Sequence, residues 1–223
     1  MKYEICEKTL SKARLNKFSQ ACGQDKSKAI WLYQCNMKLS QRFYGVIGLF
    51  EVMLRNAINE HYKRQFGDED WIVNQCAPGR LLADDQDAIE KAYKDFTGKG
   101  VYTNDKMVAS FTFGFWTYLF TRRNYRVGKK TLLRIFPNRA HGVMQRDVYR
   151  ELTEIREFRN RIAHYEPICF DASGKISTAF ARHHYELIRK YIDFMGIPAD
   201  SALGFIEKPD AIIRRLEDFS LIS

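Results

Sequence analysis

Arg159, Asn160 and His164 are the residues whose types and spacing are best suited to chemistry. They lie in the stretch Glu157-Phe158-Arg159-Asn160-Arg161-Ile162-Ala163-His164-Tyr165-Glu166-Pro167-Ile168. That stretch closes a helical run beginning near Gln145, and Pro167 ends the helix at or before the preceding residue. Wound at about 100° per residue, the run puts Val148, Leu152, Ile155 and Ile162 on one apolar stripe, with Arg159 in its middle. Asn160 and His164 share a neighbouring polar face with Thr153 and Glu157. A guanidinium centred on an apolar stripe needs a reason, because a buried charge without a partner is costly. It is either one half of a structural ion pair with a carboxylate on another helix, or an active-site cation beside a histidine.

The three side chains offer no metal cage and no acyl nucleophile. They suit RNA cleavage, in which the substrate's own 2′-hydroxyl attacks the adjacent phosphate. His164 would take or give the proton, because imidazole titrates near neutral pH. Arg159 would hold the phosphate and stabilise charge in the transition state. Asn160 would orient the substrate or His164. The spacing poses one difficulty, since five residues set Arg159 and His164 about 140° apart on an ideal helix. Either the arginine bends across, or the helix unwinds before Pro167, or a second subunit completes the site.

Arg159-Asn160, a short spacer and His164 resemble the signature of the HEPN superfamily, and Arg159 to Ile168 resembles the Abi-like (abortive infection, AbiD/AbiF-type) branch. Two upstream stretches agree: Leu49-Phe50-Glu51-Val52-Met53-Leu54-Arg55-Asn56-Ala57-Ile58 and Phe111-Thr112-Phe113-Gly114-Phe115-Trp116. The resemblance spans roughly residues 10–168 and is less clear over 169–223. It implies a metal-independent endoribonuclease of bacterial abortive-infection or toxin–antitoxin type, with no cofactor. It also implies a homodimer with two such motifs facing one cleft, and an antitoxin, protein or small RNA, as a further partner. Arg159, Asn160 and His164 would be catalytic, with Glu51, Arg55, Tyr165 and Glu166 in support. Some HEPN domains only bind, so the rival reading is a non-catalytic RNA-binding or adaptor protein in which Arg159 is structural.

The elements that must position these residues read as helices. Leu10, Ala13, Leu15, Phe18 and Ala21 recur at helical spacing until Gly23. Ser27 to Met37 makes a second helix, and Ser40 caps a long third one reaching Phe66, with Gly67 after it. On that helix Phe43, Ile47, Phe50, Leu54 and Ala57 form a core stripe. Glu51 either pairs with Arg55 one turn on or reaches Arg159 or His164 from a packed neighbour. Asp84 caps a helix to about Phe96. Gly114 would let the aromatic stretch around it pack closely. A helix from about Ile176 to Met195 carries His183 and His184 as surface residues, and Pro209 opens a last amphipathic helix. The expected fold is all-α, a single HEPN-like helical bundle over residues 1–223 with additional flanking helices.

Charge points to the partner. Lys and Arg total 36 against 27 Asp and Glu, a net +9 over 223 residues, which favours polyanions, nucleic acid before membrane. Between Lys106 and Asp147 there is no acidic residue. Arg122, Arg123, Arg126, Lys129, Lys130, Arg134, Arg139 and Arg146 all lie there, beside Tyr125. The first six are the candidate RNA contacts, suited to phosphates with base stacking on the tyrosine; a solvated basic face is the plainer alternative. The longest apolar stretch, Met107 to Thr121, is too short to span a bilayer. The five cysteines show no CxxC pair, so a reducing cytoplasm, without zinc site or disulfide framework, is expected.

Overall fold

One helix runs straight through the break expected before Ser40. In the computed structural model, which describes residues 3–221, α3 extends unbroken from Lys26 to Phe66, 41 residues. Its start is capped by Asp25, whose Oδ1 accepts from the backbone N–H of Ser27 at 2.9 Å and of Lys28 at 3.0 Å. Its end meets Gly67 in the left-handed region at φ 63°. Between these caps Leu32, Leu39, Phe43, Val46, Ile47, Phe50, Leu54, Ile58 and Tyr62 are all buried. That repeat gives the helix no reason to stop in the middle. Ser40 therefore does not cap; it sits in mid-helix, 7% exposed.

The remaining helices are short by comparison. Ahead of α3 come α1 (Tyr3–Leu10) and α2 (Lys12–Ala21). They are two rather than the one expected, because Ser11 turns the chain at φ 76° and its side chain accepts from the Arg14 N–H. After α3 come α4 (Trp71–Asn74), α5 (Gln86–Gly98), α6 (Asn104–Ser110), α7 (Phe113–Tyr118) and α8 (Arg122–Val127). A 3-10 turn at Leu132–Ile135 leads to α9 (Gln145–Ala163), and then α10 (Ala179–Phe194), α11 (Ala199–Ala202) and α12 (Asp210–Ser220) follow. Among the described residues there is no strand, only an isolated bridge between Phe170 and Ile176. The fold class is all-α. None of the described helices is long and apolar enough to cross a membrane.

The helices gather into two compact units. The first takes α1, α2, α3 as far as Gly48, α9 from Glu157, α10 as far as Arg189, and the helices after it. Its core is aromatic: Phe43 meets Phe158 edge-on at 4.9 Å, and Phe158 stacks on His184 at 4.2 Å. His184 is thus not a surface residue. It is 2% exposed, with Nδ1 2.7 Å from the Phe180 carbonyl, and only His183 faces outward. Adjacent positions on a helix diverge by about 100°, so one of the pair could face the core while the other did not.

The second unit takes the rest of α3, α4 to α8 and most of α9, with Lys190–Pro198. Trp71 and Trp116 are fully buried in it, and Trp71 Nε1 donates to Asn59 Oδ1 at 2.9 Å. The expected pairing of Arg55 with Glu51 is not formed. Arg55 makes no ion pair among the described residues of this unit, and its Nε is buried without a hydrogen-bond partner. Gly114 is not the close-packing glycine either, since a Cβ there would meet only ordinary contacts at 3.5 and 3.8 Å. That glycine is Gly128, after α8, where a Cβ would stand 2.5 Å from the Tyr62 hydroxyl and 3.1 Å from the Asn124 carbonyl oxygen.

Gly128→Ala should therefore destabilise the protein by roughly 1–3 kcal/mol, the cost of overpacking against a fixed neighbour. Gly48→Ala, in mid-α3 with nothing within 4 Å of the new Cβ, should stabilise it by about 1 kcal/mol. Chemical denaturation of the two variants checks the contrast, and equal midpoints would contradict it.

Candidate functional site at the end of helix α9

The residues singled out by spacing sit where α9 stops, and it stops under constraint. The Tyr165 N–H donates to the Ile162 carbonyl at 3.0 Å, and the Glu166 N–H to the Arg161 carbonyl at 2.9 Å. Those two bonds make a Schellman end. The left-handed position of that motif normally belongs to glycine, yet Tyr165 occupies it at φ 56°. Pro167 cannot continue the helix. Two long-range contacts and one local one then tie the exit down. Ile168 N–H donates to the buried Asn36 Oδ1 at 2.9 Å, Arg14 Nη1 to the Tyr165 carbonyl at 3.0 Å, and Arg161 Nη2 to the Pro167 carbonyl at 3.2 Å. Glu166 is used here as well, 3.2 Å from Arg161 Nε, whose guanidinium also lies 4.9 Å over the Phe180 ring.

Arg159 does not lie in the middle of the buried stripe. Val148, Leu152, Ile155 and Ile162 are buried as expected, but so is Phe158. Over the last two turns the buried face swings toward Phe158, which fills the space against Phe43 and His184. Arg159 is left half-buried at the edge, where it lines an open groove of about 430 Å³ between α9 and α3. The other walls are Met37, Ser40, Gln41 and Tyr44 from α3, and Ile162, Ala163 and Tyr165 from the end of α9.

Two polar groups in this groove lack partners. Among the described residues of its unit, the Arg159 side chain has no hydrogen-bond or ion-pair partner. The Ser40 hydroxyl is buried and likewise unpaired, although a mid-helix serine ordinarily bonds back to its own helix. Two tyrosines stand over them, Tyr44 at 70% and Tyr165 at 62% exposure. A bare guanidinium, a free hydroxyl and two open rings form a surface that fits a phosphate and a flat, conjugated group beside it. Ser40 and Tyr44 were not singled out from sequence. Only their facing Arg159 from another helix marks them, and that juxtaposition is long-range.

Asn160 and His164 are exposed and lie outside the groove lining. The helix unwinds only after Ala163, with His164 still bonded through its N–H to the Asn160 carbonyl at 2.9 Å. Unwinding therefore comes too late to turn His164 onto the Arg159 side. The structure groups Arg159 with Tyr165, and Asn160 with His164. Glu51 is half-buried on the part of α3 that belongs to the second unit.

The basic segment lies in the second unit, where Arg122, Arg123, Arg126, Lys129, Lys130 and Arg134 are all exposed. Its lack of counter-charge in sequence is not a lack in space, because Asp84 forms an ion pair with Arg123. Arg139, also exposed, folds back onto the backbone, donating to the carbonyls of Leu133 at 3.1 Å and Val143 at 3.3 Å. Among the described residues no group of three or more His, Cys, Asp or Glu side chains is placed to hold a metal ion. Comparison of the chain with protein-family models, with curated proteins and with solved structures yields no match.

The left-handed tyrosine gives a prediction that does not depend on function. Tyr165→Gly should raise stability by about 1 kcal/mol, the strain a side chain bears in that region. A melting temperature that falls instead would show that the ring's packing outweighs the strain.

Proposed function

We propose that the chain is an RNA-cleaving effector of HEPN type, working in bacterial abortive infection or as the toxin of a toxin–antitoxin pair. The observation that carries this reading is the half-buried Arg159 guanidinium, without a partner among the described residues of its unit, in a groove flanked by open tyrosine rings and five residues before the exposed His164. In the proposed reaction, one imidazole takes the proton from the 2′-hydroxyl. The 2′-oxygen attacks phosphorus, and the bond to the 5′-oxygen breaks. An imidazolium protonates that leaving oxygen, giving a 2′,3′-cyclic phosphate and a 5′-hydroxyl end. Arg159 holds the non-bridging oxygens as charge builds on them. Asn160, on the His164 face, orients the substrate or the imidazole.

One chain supplies one His164 and points it away from its own Arg159. A symmetric homodimer removes both shortages, bringing two histidines and two arginines to one shared cleft about a two-fold axis. A protein or small-RNA antitoxin would restrain such an enzyme by covering this cleft. The separation of His164 from the groove also favours a second reading, a non-catalytic RNA-binding or adaptor protein that uses Arg159 and the tyrosines alone.

Purified protein tested on structured and unstructured RNAs distinguishes the two. Arg159→Ala and His164→Ala should each lower cleavage at least about 100-fold without loss of helicity. Cleavage should survive EDTA and leave cyclic phosphate ends. Activity that disappears with chelator and returns with magnesium would refute the mechanism, and RNA binding without cleavage would establish the adaptor reading.

Binding should depend on the free cations of the basic segment. Replacing Arg122 and Arg126 with Glu should weaken RNA affinity and flatten its logarithmic salt slope by about 0.7 for each phosphate no longer neutralised. Arg123→Glu should matter less, since Asp84 already neutralises Arg123. Equal effects at the three positions would contradict this ranking.

A further inference from the structure

The second unit holds an arrangement that the proposed cleavage reaction does not use. On α3, His61 and Arg64 open onto a cleft of about 440 Å³ whose far wall carries Arg134 from the 3-10 turn. His61 Nε2 lies 2.9 Å from the Thr131 hydroxyl, and that hydroxyl donates onward to the Gly128 carbonyl at 3.1 Å. Assigning the threonine proton to that carbonyl makes the ring the donor to Thr131 and places its hydrogen on Nε2. Nδ1 is left as the ring atom able to take up a proton.

The backbone leading to Thr131 is under strain. Lys129 and Lys130 both adopt left-handed φ, 62° and 58°, which costs about 1–2 kcal/mol at each non-glycine residue. Packing holds them there from both sides. Gly128 is pressed against the buried Tyr62 hydroxyl, and Thr131 is tied to His61. Strain of this kind persists where the surroundings over-determine it, and it points to a use. Here it sets Thr131 against His61, at a cleft that carries two arginines. The one carboxylate in the cleft lining is Glu60, which lies 3.9 Å from Lys63.

We propose that the His61–Arg64–Arg134 cleft is a phosphate-binding site, with Thr131 fixing the imidazole so that Nδ1 takes up a proton as the anion arrives. Two guanidinium forks and an imidazolium match the several acceptor oxygens of a phosphate group. The charged groups around the ring are Arg64 and Glu60 on its own helix and Arg134 on the facing turn. Burial, then the charges of Arg134 and Arg64, hold the imidazole below its ordinary titration range. An anion between those arginines cancels their repulsion and favours the protonated ring. The phosphate could belong to a nucleic-acid backbone or to a free nucleotide; the chemistry is the same. The site lies wholly in the second unit and stands whether or not the protein cleaves RNA.

Histidine titration by NMR tests the site, with His61→Gln assigning the resonance and the exposed His141 and His183 as internal references. The probe is sulfate, whose charge is constant over the range, compared with chloride at equal ionic strength. Sulfate should move the His61 midpoint upward by about one pH unit, leave the reference histidines in place, and fail to do so in Arg134→Gln. Arg64→Gln supplies a second variant should the first disturb the turn. A His61 midpoint that sulfate leaves unmoved, or moves equally in both variants, would overturn the proposal. Adenosine monophosphate and an uncleavable 2′-O-methyl decanucleotide then separate the sources. A response to the oligonucleotide at lower concentration assigns the site to a backbone phosphodiester. A response to the mononucleotide alone assigns it to a free phosphate ester.

Discussion

The manner in which helix α9 ends governs the candidate site. Glu166 and Pro167 must leave the helix, and the chain makes the turn at Tyr165 rather than at a glycine. Asn36, Arg14 and Arg161 each hold a backbone group of the exit segment, so the last turn cannot fray to relieve the strain. Two consequences follow. The Tyr165 ring is held over the groove that Arg159 lines, and His164 remains on the helix lattice, on the far side from Arg159. A glycine at position 165 would make an easier end and would leave the groove without one of its walls.

Polar groups left without partners mark the groove at the end of α9. In the first unit, Phe158 takes the buried place against Phe43 and His184, and Arg159 is displaced to the rim without an acceptor. Ser40, buried on the facing helix, lacks a partner too. In the second unit, Thr131 holds the His61 ring at a cleft lined by two arginines. An anion entering either place would find donors already positioned, with little to reorganise. The strong positive balance of the chain adds long-range attraction for such a ligand.

Much of the fold could be read from local signals. The apolar repeat of α9, the stops at Gly23 and Gly67, and the helix-ending Pro167 act through their immediate neighbours, and the helices fall about where these place them. What escaped the sequence depends on partners far along the chain. Ser40 looks like a cap, but the core repeat running through Leu39 and Phe43 carries the helix past it. His184 looks like half of a surface pair, yet the rings of Phe158 and Phe180 enclose it. The isolation of Arg123 in sequence ends with Asp84, which is 39 positions away. Of the groove, Arg159 and Tyr165 were singled out from spacing and resemblance, whereas Asn160 and His164, singled out with them, lie outside its lining. Ser40, Tyr44 and His61 were not legible, because a serine, a tyrosine and a histidine on a long helix carry no local mark of what faces them.

If Arg159 and His164 act together as proposed, each must meet its counterpart on a second copy of the chain, because one helix points them apart. Subunit mixing tests this most directly. Arg159→Ala and His164→Ala proteins, each inactive alone, are unfolded and refolded together, and RNA cleavage is measured against each variant refolded by itself. The account predicts that cleavage returns in part, and only in the mixture, where one subunit brings the arginine and the other the single histidine, with water left to fill the second proton-transfer role. A mixture as inactive as its components, or a wild-type protein fully active as a monomer, would contradict it.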